Sequence, residues 1–93
     1  MSKLYLIRSH DAGTLELALT DKEAEVALLQ EAVLFANNSI SGNAEKLVGR
    51  RVYVLEHDAV KRGIMDRLVE GVEPIGYERF VDLLFSGLKV INL

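Results

Sequence analysis

Short apolar segments recur along this chain with helix-forming material between them, and that recurrence restricts the folds open to it. Lys3-Leu4-Tyr5-Leu6-Ile7-Arg8 is a continuous apolar run between polar ends. A run without alternation fits a strand covered on both faces, as in parallel sheets. Val26-Ala27-Leu28-Leu29 repeats the pattern, and Val52-Tyr53-Val54-Leu55 is the clearest case, rich in β-branched and aromatic residues. Val72 to Ile75 reads as a weaker strand; Pro74 cannot donate to a ladder, which puts it at an edge. Lys89-Val90-Ile91 closes the series.

The intervening segments read as helices. Thr14 is placed to cap a short helix with Leu15, Ala18 and Leu19 on its inner face. Ala32 to Ala36 is helical and stops near Asn37-Asn38, since Asn tolerates the left-handed conformation that ends helices. Ser39 to Gly49 is polar and small, a loop or frayed helix. Asp58 caps a turn or two through Arg62, with Gly63 as terminator. Tyr77, Phe80, Val81 and Leu84 fall at i, i+3, i+4 and i+7, a helical stripe ended by Gly87. Strands alternating with helices at this spacing predict an α/β domain: a mostly parallel sheet of about five strands in a three-layer α/β/α sandwich. No linker or repeat divides residues 1–93, so a single domain is expected.

Composition narrows the chemistry. The 93 residues contain no cysteine. Disulfides, thiolate metal sites, cysteine nucleophiles and covalent persulfide carriage by these residues are therefore excluded. A net charge of -3 argues against stable nucleic-acid binding, which draws most of its affinity from neutralising phosphates. No apolar run approaches the ~20 residues of a membrane span, and no export signal opens the chain, so the expected location is the cytoplasm. Hydrophobic residues make up 49% of a chain too small to bury them all. Part of that apolar surface is expected to meet another subunit.

Polar groups should gather where parallel strands end, because open α/β sheets bind ligands beyond the carboxyl ends of their strands. Arg8-Ser9-His10-Asp11 follows the first strand, Gln30-Glu31 the second, and Glu56-His57-Asp58 the third. These tips are expected to cluster along one edge, either as a small ligand or partner site or as helix caps and solvated ends. Arg8, Ser9, His10, Gln30, Glu31 and Asp58 are the candidate contacts there. Val33 and Phe35 join them as candidate subunit contacts, because their helix is apolar nearly all round. His10 beside Asp11 has the makings of a general base with its orienter, but no nucleophile motif accompanies the pair. His10 and His57 lack the spacing of metal ligands on one helix. The single Gly13 after the first strand does not make a phosphate-binding loop. No catalytic residue, cofactor or metal is expected.

Three segments carry a resemblance to a known family. Val52-Tyr53-Val54-Leu55-Glu56-His57-Asp58-Ala59-Val60-Lys61-Arg62-Gly63 resembles the strand, acidic turn and Arg-Gly ending of the DsrH/TusB sulfur-relay family. Ile75-Gly76-Tyr77-Glu78-Arg79-Phe80-Val81-Asp82-Leu83 is similar to a second signature, Tyr followed by Phe-Val on an apolar helix. Leu28-Leu29-Gln30-Glu31-Ala32-Val33 is similar to the family's Leu-Leu-Gln-Asp-Gly-Val, with Glu31-Ala32 replacing Asp-Gly. The resemblance implies a DsrEFH-like domain that assembles with related chains of the DsrE and DsrF, or TusD and TusC, types. It also implies a relay of persulfide sulfur, toward tRNA wobble uridine thiolation in the Tus systems. Some DsrH-type chains carry a cysteine in the first helix; the matching position here is Ala18, which cannot hold sulfur. The function expected on this basis is a non-catalytic relay subunit supporting a cysteine-bearing partner. The alternative is a stand-alone homo-oligomer that binds a small ligand at the strand tips.

Overall fold

The central strands of this protein present apolar side chains in both directions, and the computed structural model, which describes residues 2–93, shows both faces of the resulting sheet covered. The strands are β1 (Lys3–Ile7), β2 (Glu25–Leu28), β3 (Val52–Leu55), β4 (Glu73–Ile75) and β5 (Lys89–Asn92). They form one sheet in the order β4-β3-β2-β1-β5. Every pairing is parallel, with Leu6 opposite Ala27, Ala27 opposite Tyr53, and Val54 opposite Pro74. Successive side chains of a strand point to opposite faces. Ile7, Val26, Leu28, Val52 and Val54 accordingly pack into one core, while Leu4, Leu6, Ala27, Leu29, Tyr53, Leu55 and Ile75 form another on the reverse face.

The connections distribute unequally between the two faces. Helix α1 (Ala12–Leu19), a 3-10 segment (Gln30–Ala36), α2 (Asn43–Leu47), α3 (Glu56–Lys61) and a 3-10 turn (Met65–Arg67) join β1 through β4 in order. Their buried apolar side chains, among them Leu15, Ala18, Val33, Leu47 and Ala59, all enter the first core. Helix α4 (Tyr77–Leu84) returns from β4 to the far edge of the sheet and packs Leu83, Phe80 and Leu84 into the second core. Parallel crossovers keep one hand, so a chain that reverses direction across the sheet must switch faces. The step from β4 to β5 is that reversal.

Local chemistry differs from expectation at several points. Asp11, not Thr14, caps α1: its carboxylate accepts the Gly13 N–H at 3.2 Å and the Thr14 hydroxyl at 2.8 Å. The polar stretch after Asn37 contains a real turn of helix because Asn43 is buried there, its amide donating to the Leu34 and Asn37 carbonyls. Asp58 does not cap α3, which already begins at Glu56 and has no side-chain cap. The stripe on α4 is rotated from the one drawn through Tyr77, Phe80, Val81 and Leu84. Leu83 is the residue buried at 3% exposure, while Tyr77 and Val81 stand 58% and 48% exposed. Gly63 and Gly87 do end their helices, with φ of 70° and 93°, values that glycine adopts without strain.

Candidate functional site

Reversal of the winding direction leaves a crevice. The chain leaves β3 toward one face of the sheet and β4 toward the other, so their carboxyl ends part at the topological switch point where doubly wound sheets bind ligands. A cleft of about 580 Å³ lies there. Arg8 and Ser9 line it from the end of β1, Gln30 and Glu31 from the end of β2, His57, Asp58, Lys61 and Arg62 from α3, and Tyr77 from the start of α4. Its volume falls within the range of small-molecule sites, roughly 300–1,000 Å³.

Two hydrogen bonds fix the walls. Arg8 Nη1 donates to Asn92 Oδ1 at 2.7 Å, tying the guanidinium to the last residue of β5, the strand that pairs with β1. On the opposite side the Gln30 N–H donates to Asp58 Oδ2 at 2.7 Å. Asp58 is only 8% exposed, and a buried carboxylate that accepts a backbone N–H is held firmly, since charge-assisted hydrogen bonds are the stronger kind. Its partner is unusual. Gln30 has φ of 51°, the one non-glycine residue with positive φ among those described. A left-handed residue costs about 1–2 kcal/mol where a side chain is present, and such strain persists where the surroundings over-determine it. The Asp58 carboxylate is that determinant. The residues that follow, Glu31-Ala32, enter the 3-10 segment without a positive φ of their own.

The strand tips expected to cluster therefore do so. Arg8, Ser9, Gln30, Glu31 and Asp58 meet in one cleft. His10 lies outside it, its ring 4.5 Å from that of Phe35. Among the described residues no hydrogen bond joins His10 to Asp11, whose carboxylate is occupied by the α1 cap. The candidate subunit contacts Val33 and Phe35 are corrected: they are 0% and 5% exposed, part of this chain's own core. The 3-10 segment is apolar on several sides because it is wedged between the sheet, α2 and α3. Ala18 is also fully buried, so a group at that position could not meet an incoming thiol without opening the core.

Lys61, Arg62 and Tyr77 were not foreseen as contacts, whereas His57 belongs to the third of the tips expected to cluster. Lys61-Arg62 follows Asp58 by three and four residues, the spacing that brings side chains to one side of a helix. Tyr77 opens the element after the fourth strand, so the tip rule applied there would have found it. Its ring lies 5.9 Å from that of His57 at a tilt of 41°. At the amino-terminal end of the sheet the buried Tyr53 hydroxyl donates to Glu25 Oε1 at 2.5 Å. Burial, reinforced by that hydrogen bond and the Glu25 charge, pushes its pKa up to about 12. Among the described residues no helix is long and apolar enough to cross a membrane.

Comparison with known proteins places this architecture. The crystal structure of the ychN protein from E. coli has a TM-score of 0.77 to this chain, with 100% of both chains covered and 19% of residues identical, a likeness of fold. Protein TusB of Buchnera aphidicola subsp. Baizongia pistaciae is 37% identical over 60 residues, which span 63% of this chain and 63% of that protein. The family model of DsrH-like proteins matches residues 9–90, which take in every residue lining the cleft except Arg8. The chain belongs to the DsrH-like family.

Proposed function

We propose that this chain is a non-catalytic subunit of a cytoplasmic sulfur relay. It docks onto a cysteine-bearing DsrE/TusD-type chain, alongside a DsrF/TusC-type chain, and shapes the surroundings of the partner's persulfide on its way to tRNA wobble uridine thiolation. One observation carries the reading: a DsrH-like chain whose 93 residues hold no cysteine. Transfer of sulfane sulfur needs a thiolate nucleophile, and here a partner has to supply it. What remains for this chain is surface. Tyr77, Val81 and Phe85 follow one another at intervals of four along the outer edge of α4 and its end, with Phe85 84% exposed. Large side chains left in water beside a complete core support a docking role for that edge. Co-expression with a DsrE/TusD-type chain tests the reading. The expected result is co-purification of the two; recovery of the chain as a monomer beside such a partner counts against it.

The cleft favours a second reading, a homo-oligomer that binds a small ligand at the strand tips and takes no part in sulfur transfer. This predicts a stable self-assembled species from the chain alone, together with ligand-induced thermal stabilisation that is lost on Arg8→Ala.

A further inference from the structure

The cleft is unusual in its charges. Of 11 Lys and Arg residues in an acidic chain, Arg8, Lys61 and Arg62 line this one crevice, with His57 beside them. Ion pairs among the described residues join Lys3 to Asp21 and Arg67 to Asp66, and neither involves a residue of the cleft. The carboxylates that share the cleft, Asp58 and Glu31, offset two of its three cationic charges but pair with none of them within 4.0 Å. Asp58 is buried and bonded to the Gln30 N–H, and Glu31 makes no ion pair within 4.0 Å. One cationic charge is left in excess and all three cations keep free donors, so a bound anion gains from the field they share.

We propose that the cleft is an oxyanion site, taking a small molecule that bears a phosphate or a sulfur oxyanion. Guanidinium groups present planar, forked donors that match such oxygens two at a time. Arg8 is already held in place by Asn92, so little side-chain freedom is lost when an anion arrives. Lys61 and Arg62 come from the adjacent helix and supply charge from the other wall. The rings of His57 and Tyr77 give the ligand's remainder an aromatic boundary. Position agrees with chemistry, since the crevice is the switch point of the sheet. The inference rests on the cleft alone and holds whether or not the chain serves a relay.

The test is a titration of the isotopically labelled full chain followed by amide NMR. Inorganic phosphate, thiosulfate and adenosine 5′-monophosphate are added separately at constant low ionic strength, with sodium chloride as the control. The expected result is saturable shifts at Arg8, Gln30, His57 and Tyr77 with at least one of the three. The tightest binder then tells a phosphate from a sulfur oxyanion, and a gain with the nucleotide reports the aromatic boundary. Arg8→Gln and Arg62→Gln should each weaken binding about tenfold, as loss of a charge-assisted hydrogen bond does, while Arg67→Gln, outside the cleft, should not. Shifts absent with all three, shifts matched by chloride, or shifts centred on Arg50, Arg51 and Arg79 would overturn the proposal. So would binding indifferent to both cleft variants. The wild-type map keeps the test decisive should a variant fold poorly, and failure of partner co-purification leaves its outcome unchanged.

Discussion

Asp58 is the residue on which the cleft's geometry turns. Its carboxylate is the acceptor for a backbone N–H in a left-handed residue, so removing it leaves both an unpaired donor and an unsupported strain. Asp58→Ala is expected to lower stability by about 1–3 kcal/mol in urea unfolding, with Gln30 showing the largest amide shift. Gln30→Gly should be neutral or stabilising by up to about 1 kcal/mol, because glycine accepts the left-handed conformation freely. A marked loss would mean that the Gln30 side chain, not its backbone, matters. Tyr53 makes a pH prediction. Its folded pKa of about 12 lies above the ordinary value of 10. Above pH 10 the unfolded chain gives up that proton while the folded chain keeps it, so stability is intact below pH 10 and falls as pH rises toward 12. The loss reaches about 3 kcal/mol. Tyr53→Phe should flatten this part of the profile, and an unchanged slope would remove Tyr53 as its source.

At the scale of elements, α4 separates what folds the chain from what it offers to others. Leu83 faces the sheet and is 3% exposed, whereas Phe85, two residues on, is 84% exposed. Leu83→Ala should cost about 2–5 kcal/mol, the usual range for emptying a buried leucine site. Phe85→Ser should change stability by no more than about 0.5 kcal/mol, as exposed sites do, yet abolish co-purification with a DsrE/TusD-type chain. Equal stability losses from the two would show that the outer edge of α4 is core after all. The strands were legible in the sequence because burial on both faces leaves continuous apolar runs, as Val52–Leu55 illustrates. Helix faces were less so. Tyr77, Phe80, Val81 and Leu84 fit a helical stripe, but which edge of a wide apolar stripe meets the sheet depends on the crossing of α4 over strands distant in sequence. Asp58 misled for a similar reason: Asp after a strand looks like a cap, and its true partner lies 28 residues away. Val33 and Phe35 looked surplus only because the elements that enclose them cannot be seen locally.

For the whole molecule, the winding order explains why there is a cleft at all. Three crossovers on one face and a single return on the other place the switch point between β3 and β4, and the tips of β1 and β2 complete the cleft. The strand order could not be read from the sequence, so Lys61, Arg62 and Tyr77 escaped notice although each follows a recognisable strand. The same asymmetry leaves one face of the sheet under a single helix, whose outer edge remains apolar. The proposed docking role rests on these two features, a sequence without a thiol and an apolar edge left uncovered.

Native mass spectrometry of this chain co-expressed with a cysteine-bearing DsrE/TusD-type chain tests that claim most directly. The account predicts a joint assembly in which this chain is present and any persulfide mass sits on the partner. Finding it only at its own 10.3 kDa beside an assembled partner would contradict the account.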